Sequence, residues 1–433
     1  MDADLIAIAG FIVLFALAAL RIPIGVAMGI VGVGGFALIV GIEPALRQLS
    51  LSALRSASSE TFGLVPMFLL MGSIATASGM SAELFRAANA WLGHRRGGLA
   101  TATIAACGGF AAICGSSVAT AVTMSRVALP EMRSRGYADA IATGTIAAGG
   151  TLGILIPPSI VLAIYGIITE QDIGRLFIAG IVPGLLSVFL FMLTIRILGW
   201  FSPDAMPASG TRADFGTRMR TLGGVWAIGL LFIFVIGGIY IGLFTPTEAA
   251  GAGAAGAFII SVARRRLSFQ ALVGCLVEAI RTTASVFIIL IGAVMFGYFL
   301  AVTQTTQKIT GSLIELGLGP YPTLALILLL YLVLGCVLDA LAMVVLTVPI
   351  LLPVILELGF DPIWFGVIVV VAAELALITP PVGINVFVIN SVVRDVSLVT
   401  IFRGALPFVV TEAIVLILLV AFPAIVLFLP SRM

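Results

Sequence analysis

The chain has 433 residues, 61% of them hydrophobic and 10% charged, where soluble domains carry about a quarter of charged residues. This composition excludes a soluble globular protein and implies an all-α polytopic membrane protein with the lipid bilayer as its solvent. A net charge of +2 leaves no basic footprint, so no nucleic-acid partner is expected.

Enzymatic readings fall away for the same chain. Lys308 is the only lysine and stands in TQTTQKITG, so no GxxxxGK[ST] phosphate loop exists. His94 is the only histidine, in the polar WLGHRRGG, and no Ser/His/Asp set can be assembled in the apolar passages. The chain is not expected to be an enzyme. Cys107, Cys114, Cys275 and Cys336 sit in apolar passages without a CxxC pair, which suits reduced packing residues.

The start, MDADLIAIAG, carries acids where a signal peptide carries bases, so its apolar run reads as an uncleaved span beginning outside. Asp4 to Leu20 runs inward, Ile24 to Ile42 outward to a polar stretch with Glu43, Arg47 and Arg55, and Thr61 to Gly79 inward again. Residues 98–134 have Arg95 and Arg96 before them, Arg133 and Arg135 at their end and CGSS at the middle. Both ends favour the cytoplasm, which predicts a re-entrant hairpin from that side. Residues 139–168 cross outward as a discontinuous helix, broken at GTLGILIPPS, and Leu176 to Leu198 returns. Residues 201–221, with Arg212, Arg218 and Arg220, form a polar cytoplasmic linker.

The order then repeats. Residues 222–242, 249–263 and 282–302 are crossings, 321–356 a second hairpin entered from outside, 363–393 a second broken helix interrupted at ITPPVG, and Gly404 to Leu429 a last crossing ending outside. Pro23, Pro130, Pro157, Pro158 and Gly136 recur as Pro246, Pro353, Pro380, Pro381 and Gly359, all offset by 223 residues. Residues 1–200 and 222–433 therefore read as two repeats, each with five crossings, one discontinuous, and one hairpin. An odd number of crossings makes the repeats inverted and leaves both termini on the outer side.

The hairpin tips and the Pro-Pro breaks are expected to meet at mid-membrane. Broken helices free N–H groups that suit a carboxylate, and carbonyls that, with hydroxyls, suit a dehydrated Na+. Ser116, Ser117 and Thr120 supply hydroxyls at the first tip, and Gly153, Ile156 and Pro157 carbonyls at the first break. The related set in the second half is Asp339, Thr379, Pro380, Gly383 and Asn385. Asp339, an acid within YLVLGCVLDALAMVVL, is the sharpest single residue: it holds a cation or caps a broken helix end, since facing lipid costs a few kcal/mol. Glu374, before the second break, is a second acidic candidate. Arg126 either faces the substrate as a counter-charge or snorkels toward the cytoplasm.

GSSVAT, GTLGILIPPS and ALITPPVGIN together resemble the large membrane subunit of the tripartite ATP-independent periplasmic (TRAP) transporters, over nearly the whole chain. The resemblance implies an elevator-type secondary transporter of the bacterial inner membrane, driven by Na+, that takes carboxylate solutes from a periplasmic binding protein and works with a smaller membrane subunit on a separate polypeptide. It also implies Na+ sites at Ser116, Ser117, Gly153, Asp339, Thr379 and Gly383, with Pro157 at the first break, and a substrate near Thr120, Pro158 and Asn385. A stand-alone carrier for citrate, a dicarboxylate or an oxyanion, and a channel or intramembrane enzyme, remain as competing readings.

Overall fold

Helices take up almost all of the chain, and among the described residues the only β pairing is an isolated bridge between Arg96 and Ala208. The computed structural model describes residues 3–208, 212–315 and 317–433, without the side chain at position 314. An all-helical solution suits this solvent, because in lipid each backbone donor and acceptor must find its partner within the protein, and an α-helix supplies it within the same segment.

The first half runs α1 (Ala3–Ala19), α2 (Ile24–Val40), α3 (Ile42–Ser58), α4 (Leu64–Ala77) and α5 (Met80–Leu92). It continues with a hairpin of α6 (Gly98–Cys114) and α7 (Ser117–Ser134), a broken pair α8 (Asp139–Leu155) and α9 (Ile160–Thr169), and α10 (Ile173–Phe201). In the second half, α11 (Phe215–Phe232) passes through a π-turn, Ile233–Gly237, into the single turn α12 (Gly238–Tyr240). Then come α13 (Pro246–Ala263), α14 (Phe269–Val302) and α15 (Thr305–Glu315). A second hairpin of α16 (Pro320–Leu334) and α17 (Ala340–Glu357), a second broken pair α18 (Pro362–Ile378) and α19 (Ile384–Val392), α20 (Leu398–Ala421) and the short α21 (Ala424–Leu427) complete the chain.

Among the described residues, six helices are long and apolar enough to cross a membrane, α8 and α9 counting as one, and α3 with α4, bent by 61°, forms a candidate seventh. Outward faces stay apolar where water would not tolerate them, as at Leu5, Ile12, Leu38, Ile233 and Val333. Trp200, Phe201 and Phe269 are exposed at helix ends, where aromatic rings suit the headgroup boundary.

Four stretches differ from the sequence expectation, each for a local reason. The polar stretch after Ile42 is the helix α3, whose Ile42, Ala45, Leu49 and Ala53 recur at helical spacing while Glu43, Arg47 and Arg55 take the other face. The span expected from Thr282 starts 13 residues earlier, at Phe269, because Ser268 Oγ accepts the Ala271 N–H at 3.1 Å and nucleates α14 ahead of the apolar run. Asp214 does the same for α11 through the Thr217 N–H at 3.1 Å, so the helix takes over the end of the expected 201–221 linker. Positions 209–211 of that linker lie outside the described residues. The last crossing stops at Ala421 and not at Leu429, because Phe422 precedes Pro423 and leaves helical geometry.

Two layers position the site. The lengthwise helices α1, α2, α4, α13 and α14 pack on one another, with α2 against α14 and α4 against α13 as the broadest contacts. The hairpins and broken helices form a second body around α8, which is flanked by α6, α7, α18 and α20. Within this body the halves interlock: α7 packs on α19 from the second broken pair, and α17 packs on α9 from the first.

Candidate functional site

CGSS lies between α6 and α7 because glycine and serine take the two roles a sharp reversal needs. Gly115 closes α6 at φ +65°, a left-handed conformation that favours glycine. Ser116 is extended and caps α7, its Oγ accepting the Ala119 N–H at 3.3 Å. The amides of the first turn of α7 therefore converge at the tip and carry the positive end of the helix dipole.

The first break is built against this tip. A Cβ on Gly153 would lie 2.5 Å from the Ser116 carbonyl oxygen and 2.8 Å from Thr120 Oγ1, and one on Gly115 would lie 2.8 Å from the Pro158 carbonyl oxygen. Only glycines allow this approach. Beyond Leu155 the chain leaves helical geometry at Ile156, then passes a cis Pro157–Pro158 bond. Ser159 restarts the helix as cap of α9, accepting from the Leu162 N–H at 3.2 Å and donating to the Ile154 carbonyl.

Ser116, Ser117, Thr120, Gly153, Pro157 and Pro158 are thus gathered in one place, most of them fully buried. Asn385 joins them. Named from sequence both in the second-half set and, with Thr120 and Pro158, near the substrate, it is carried by α19 to α8, where its Nδ2 donates to the Ala147 carbonyl at 3.5 Å and its Oδ1 is buried without a partner. Thr120 and Asn385 are 0% exposed, and neither they nor Pro158 line the cavity described below. The Thr120 hydroxyl donates to the Ser116 carbonyl at 2.8 Å, which is the helical back-bond of a membrane hydroxyl.

The second tip is looser. Asp339 is extended and caps α17, one carboxylate oxygen accepting the Ala342 N–H at 2.8 Å, and its side chain is exposed. The cap is formed through one carboxylate oxygen, Oδ1. Thr379 ends α18 with its hydroxyl donating to the Leu375 carbonyl at 2.6 Å. The cis pair Pro380–Pro381 is exposed, and Gly383 turns into α19 at φ +55°. Among the described residues Asp339 makes no hydrogen bond or ion pair with Thr379 or Gly383; the hairpin meets the broken helix one turn away, at Gly335 and Ala376.

A cavity of about 700 Å³ opens between the first hairpin and the lengthwise helices α4 and α14. Ser116, Ala119, Thr123 and Arg126 line it from α7 at the spacing of one helix face, so the tip and a guanidinium share a wall. Opposite stand Ser73 and Thr76 of α4 and Glu278 of α14, with Ser73 Oγ donating to Glu278 Oε2 at 3.2 Å. Arg126 is exposed and has no ion pair with a described residue. Ser73, Thr123 and Glu278 were not singled out from sequence. Thr123 was accessible, since it follows Ser116 by seven residues and precedes Arg126 by three, a helical repeat.

These features define a polytopic helical membrane permease. Residues 11–425 match the family described as "Tripartite ATP-independent periplasmic transporter, DctM component", and the chain belongs to that family. It is 38% identical over 403 residues to the "C4-dicarboxylate TRAP transporter large permease protein DctM" of Pseudomonas aeruginosa, covering 92% of this chain and 93% of that protein. It is 35% identical over 422 residues to the "Isethionate TRAP transporter permease protein DctMQ" of Oleidesulfovibrio alaskensis, covering 96% of this chain and 66% of that longer protein. The fold is similar to the crystal structure of the Alcanivorax borkumensis YdaH transporter, at a TM-score of 0.60, 16% identity and 98% coverage of both chains.

Proposed function

We propose that the chain is the large permease of a sodium-coupled secondary uptake system for an organic acid, and that the acid binds in the cavity between the first hairpin and α4 and α14. The observation that carries this reading is the shared wall: the capped N-terminus of α7 at Ser116 and the unpaired Arg126 guanidinium both face the same space. Backbone N–H groups at a helix N-terminus and a guanidinium both favour an anion. The relatives named for a C4-dicarboxylate and for isethionate are consistent with an acidic solute.

The coupling ion is assigned to the tips and breaks. Ser116, Ser117, Gly153 and Pro157 offer oxygens around the first tip, with Asn385 Oδ1 as an unpartnered oxygen beside them. Asp339, Thr379 and Gly383 offer them at the second. A cation that orders these turns also fixes the helix N-terminus that meets the anion, so ion and solute favour each other's binding. Thr120, Pro158 and Asn385 act from behind this surface, holding the tip against the break.

The halves are assigned as inverted repeats, residues 1–200 and 222–433. The support is the register: α2 and α13 begin 222 residues apart, and α6 and α16, as well as α7 and α17, begin 222 and 223 apart. With the acidic start outside, both termini are periplasmic and the membrane is the inner one. The body of hairpins and broken helices moves as an elevator against α1, α2, α4, α13 and α14. The partners are a periplasmic binding protein and a small membrane subunit; the chain covers 66% of the longer DctMQ relative, which leaves that protein room for a further part.

The test is uptake of labelled carboxylates by liposomes holding the chain, its small subunit and its binding protein, with and without an inward Na+ gradient. Uptake that needs both the gradient and the binding protein supports the reading. Na+-driven uptake without the binding protein removes the tripartite assignment, and uptake indifferent to Na+ removes the coupling.

A further inference from the structure

Away from the cavity, two acids face each other in the interior of the moving body. Glu374 lies one turn before the end of α18, and Glu412 lies past the middle of α20; both are 0% exposed. Their carboxyl groups meet, and Ser187 of α10, also 0% exposed, reaches Glu412. All four carboxyl oxygens and Ser187 Oγ are buried without a hydrogen-bond partner among the described residues.

Such a pair cannot stand as two charges. Two carboxylates in contact repel, and an uncompensated buried carboxylate carries a solvation penalty of several kcal/mol. No cation offsets them. Of the charged and titratable groups on the elements packed around the pair, Arg175 and Arg196 on α10, Arg403 on α20, Asp139 on α8 and Glu357 on α17 do not face it; Tyr165 of α9 and Tyr331 of α16 are bonded elsewhere, to the Pro362 carbonyl and to Thr347, and Tyr321 of α16 stacks with Phe360. Arg196 and Arg403 each lie nine residues along the helix from Ser187 or Glu412, roughly 13 Å of helical rise. A metal ion would need more oxygens than are present, since hard cations bind through shells of about six or more. The hydroxyls of Thr194 and Thr411, on the same helices as Ser187 and Glu412, are spent on each other at 2.6 Å and on their own helices.

We propose that Glu374 and Glu412 form a proton-binding site in which a proton bridges the two carboxyl groups and Ser187 completes the hydrogen bonding. The bridging proton turns two opposed acceptors into a donor and an acceptor and removes one of the two buried charges. The site also touches the transport machinery. Leu375, next to Glu374, accepts the Thr379 hydroxyl at 2.6 Å at the end of α18, so the pair lies within a turn of the second break. This site is separate from the sodium sites proposed at the tips.

Infrared difference spectroscopy of the purified permease tests the proposal. Expected is a protonated carboxyl C=O band that shifts on transfer to D2O, persists at neutral pH where an ordinary glutamate, titrating near about 4.3, is ionised, and is lost in the Glu374→Gln/Glu412→Gln double variant. Each single Gln variant keeps the shape and supplies an amide donor in place of the proton, so its melting temperature should stay closer to wild type than that of Glu374→Leu or Glu412→Leu. If the variants do not fold, the wild-type titration alone decides: no protonated carboxyl band at neutral pH overturns the proposal. Carboxylate bands that appear or shift with added Na+ and vanish in the double variant would make the occupant a metal ion, which also overturns it.

Discussion

The two hairpin tips are built on one plan and finished differently. Each is a helix N-terminus started by a capping side chain, Ser116 in the first and Asp339 in the second, 223 residues apart. Around Ser116 the chain is sealed: Pro157, Pro158 and Ser159 are buried, and Gly153 lets the Ser116 carbonyl into contact with the broken helix. Around Asp339 it is open, with Asp339, Val337, Pro380 and Pro381 exposed. The glycine that permits the crossing has changed sides as well. Gly153 sits on the first broken helix, whereas in the second half the glycine is Gly335 of the hairpin, packed on Ala376, the position equivalent to Gly153. Two hairpins of the same element order thus give one tip held in place by backbone contact and one held mainly by its own cap. A preorganised site and an adaptable one follow from the same topology.

The largest effect should come from unsealing the first tip. Gly153→Val would force side-chain atoms into the Ser116 carbonyl, already only 2.5 Å from the place of a Cβ, and overpacking of this kind costs about 1–3 kcal/mol or more. Thermal denaturation should show a lowered melting temperature and vesicle uptake should be lost. A variant of wild-type stability and rate would mean that tip and break do not need this contact. Next is the cavity charge. Arg126→Gln removes the guanidinium that the second half lacks, its counterpart being Pro349. Losing a charged hydrogen bond to an anion is worth about 1.5–3 kcal/mol, so the half-saturating solute concentration should rise by roughly ten- to a hundredfold with melting unchanged. An unaltered value would place the solute elsewhere.

The caps separate structural from ionic roles. Asp339→Asn keeps a capping oxygen, since Asn and Asp cap about equally well, so stability should change little while the Na+ concentration for half-maximal uptake rises. Ser116→Ala removes a cap and should cost about 1 kcal/mol, read as a lower melting temperature. Identical Na+ dependence in wild type and Asp339→Asn would leave that carboxylate a cap and nothing more.

Much of this plan was legible in the sequence because breaks inside apolar runs have few physical solutions. CGSS and the two Pro-Pro motifs are where helices stop, and Asp339 stood out as an acid in an apolar run. What the sequence hid was the partner of each feature. Asn385 reads from its position as part of the second break, and only the resemblance sets it near Thr120 and Pro158; its contact with α8 of the first half comes from the packing of α19. Glu278 and Ser73 read as ordinary polar residues, and only the packing of α4 and α14 turns them toward the hairpin. Glu412, alone in TEAIVLILLV, satisfies the same criterion as Asp339 but has no break beside it. Periodicity and breaks locate elements; they do not say which distant face closes the site.

The smallest effect concerns the start of α11. The Thr217 hydroxyl and then the Thr217 amide donate to Asp214, and they hold its carboxyl below the usual carboxylate range. A carboxyl lowered in the folded state contributes stability that is complete above its unfolded value, about 3.9, and is lost as pH falls through the lower folded one. Acid should therefore loosen the first turn of α11. The start of α2 is the internal control, because Pro23 makes no side-chain cap bond and has nothing to titrate. Hydrogen exchange, corrected for its intrinsic pH dependence, should show protection falling over residues 215–218 below pH of about 4 while residues 24–27 keep theirs. Equal loss at both would point to acid acting on the whole fold, and Asp214→Asn, which caps without titrating, should abolish the difference.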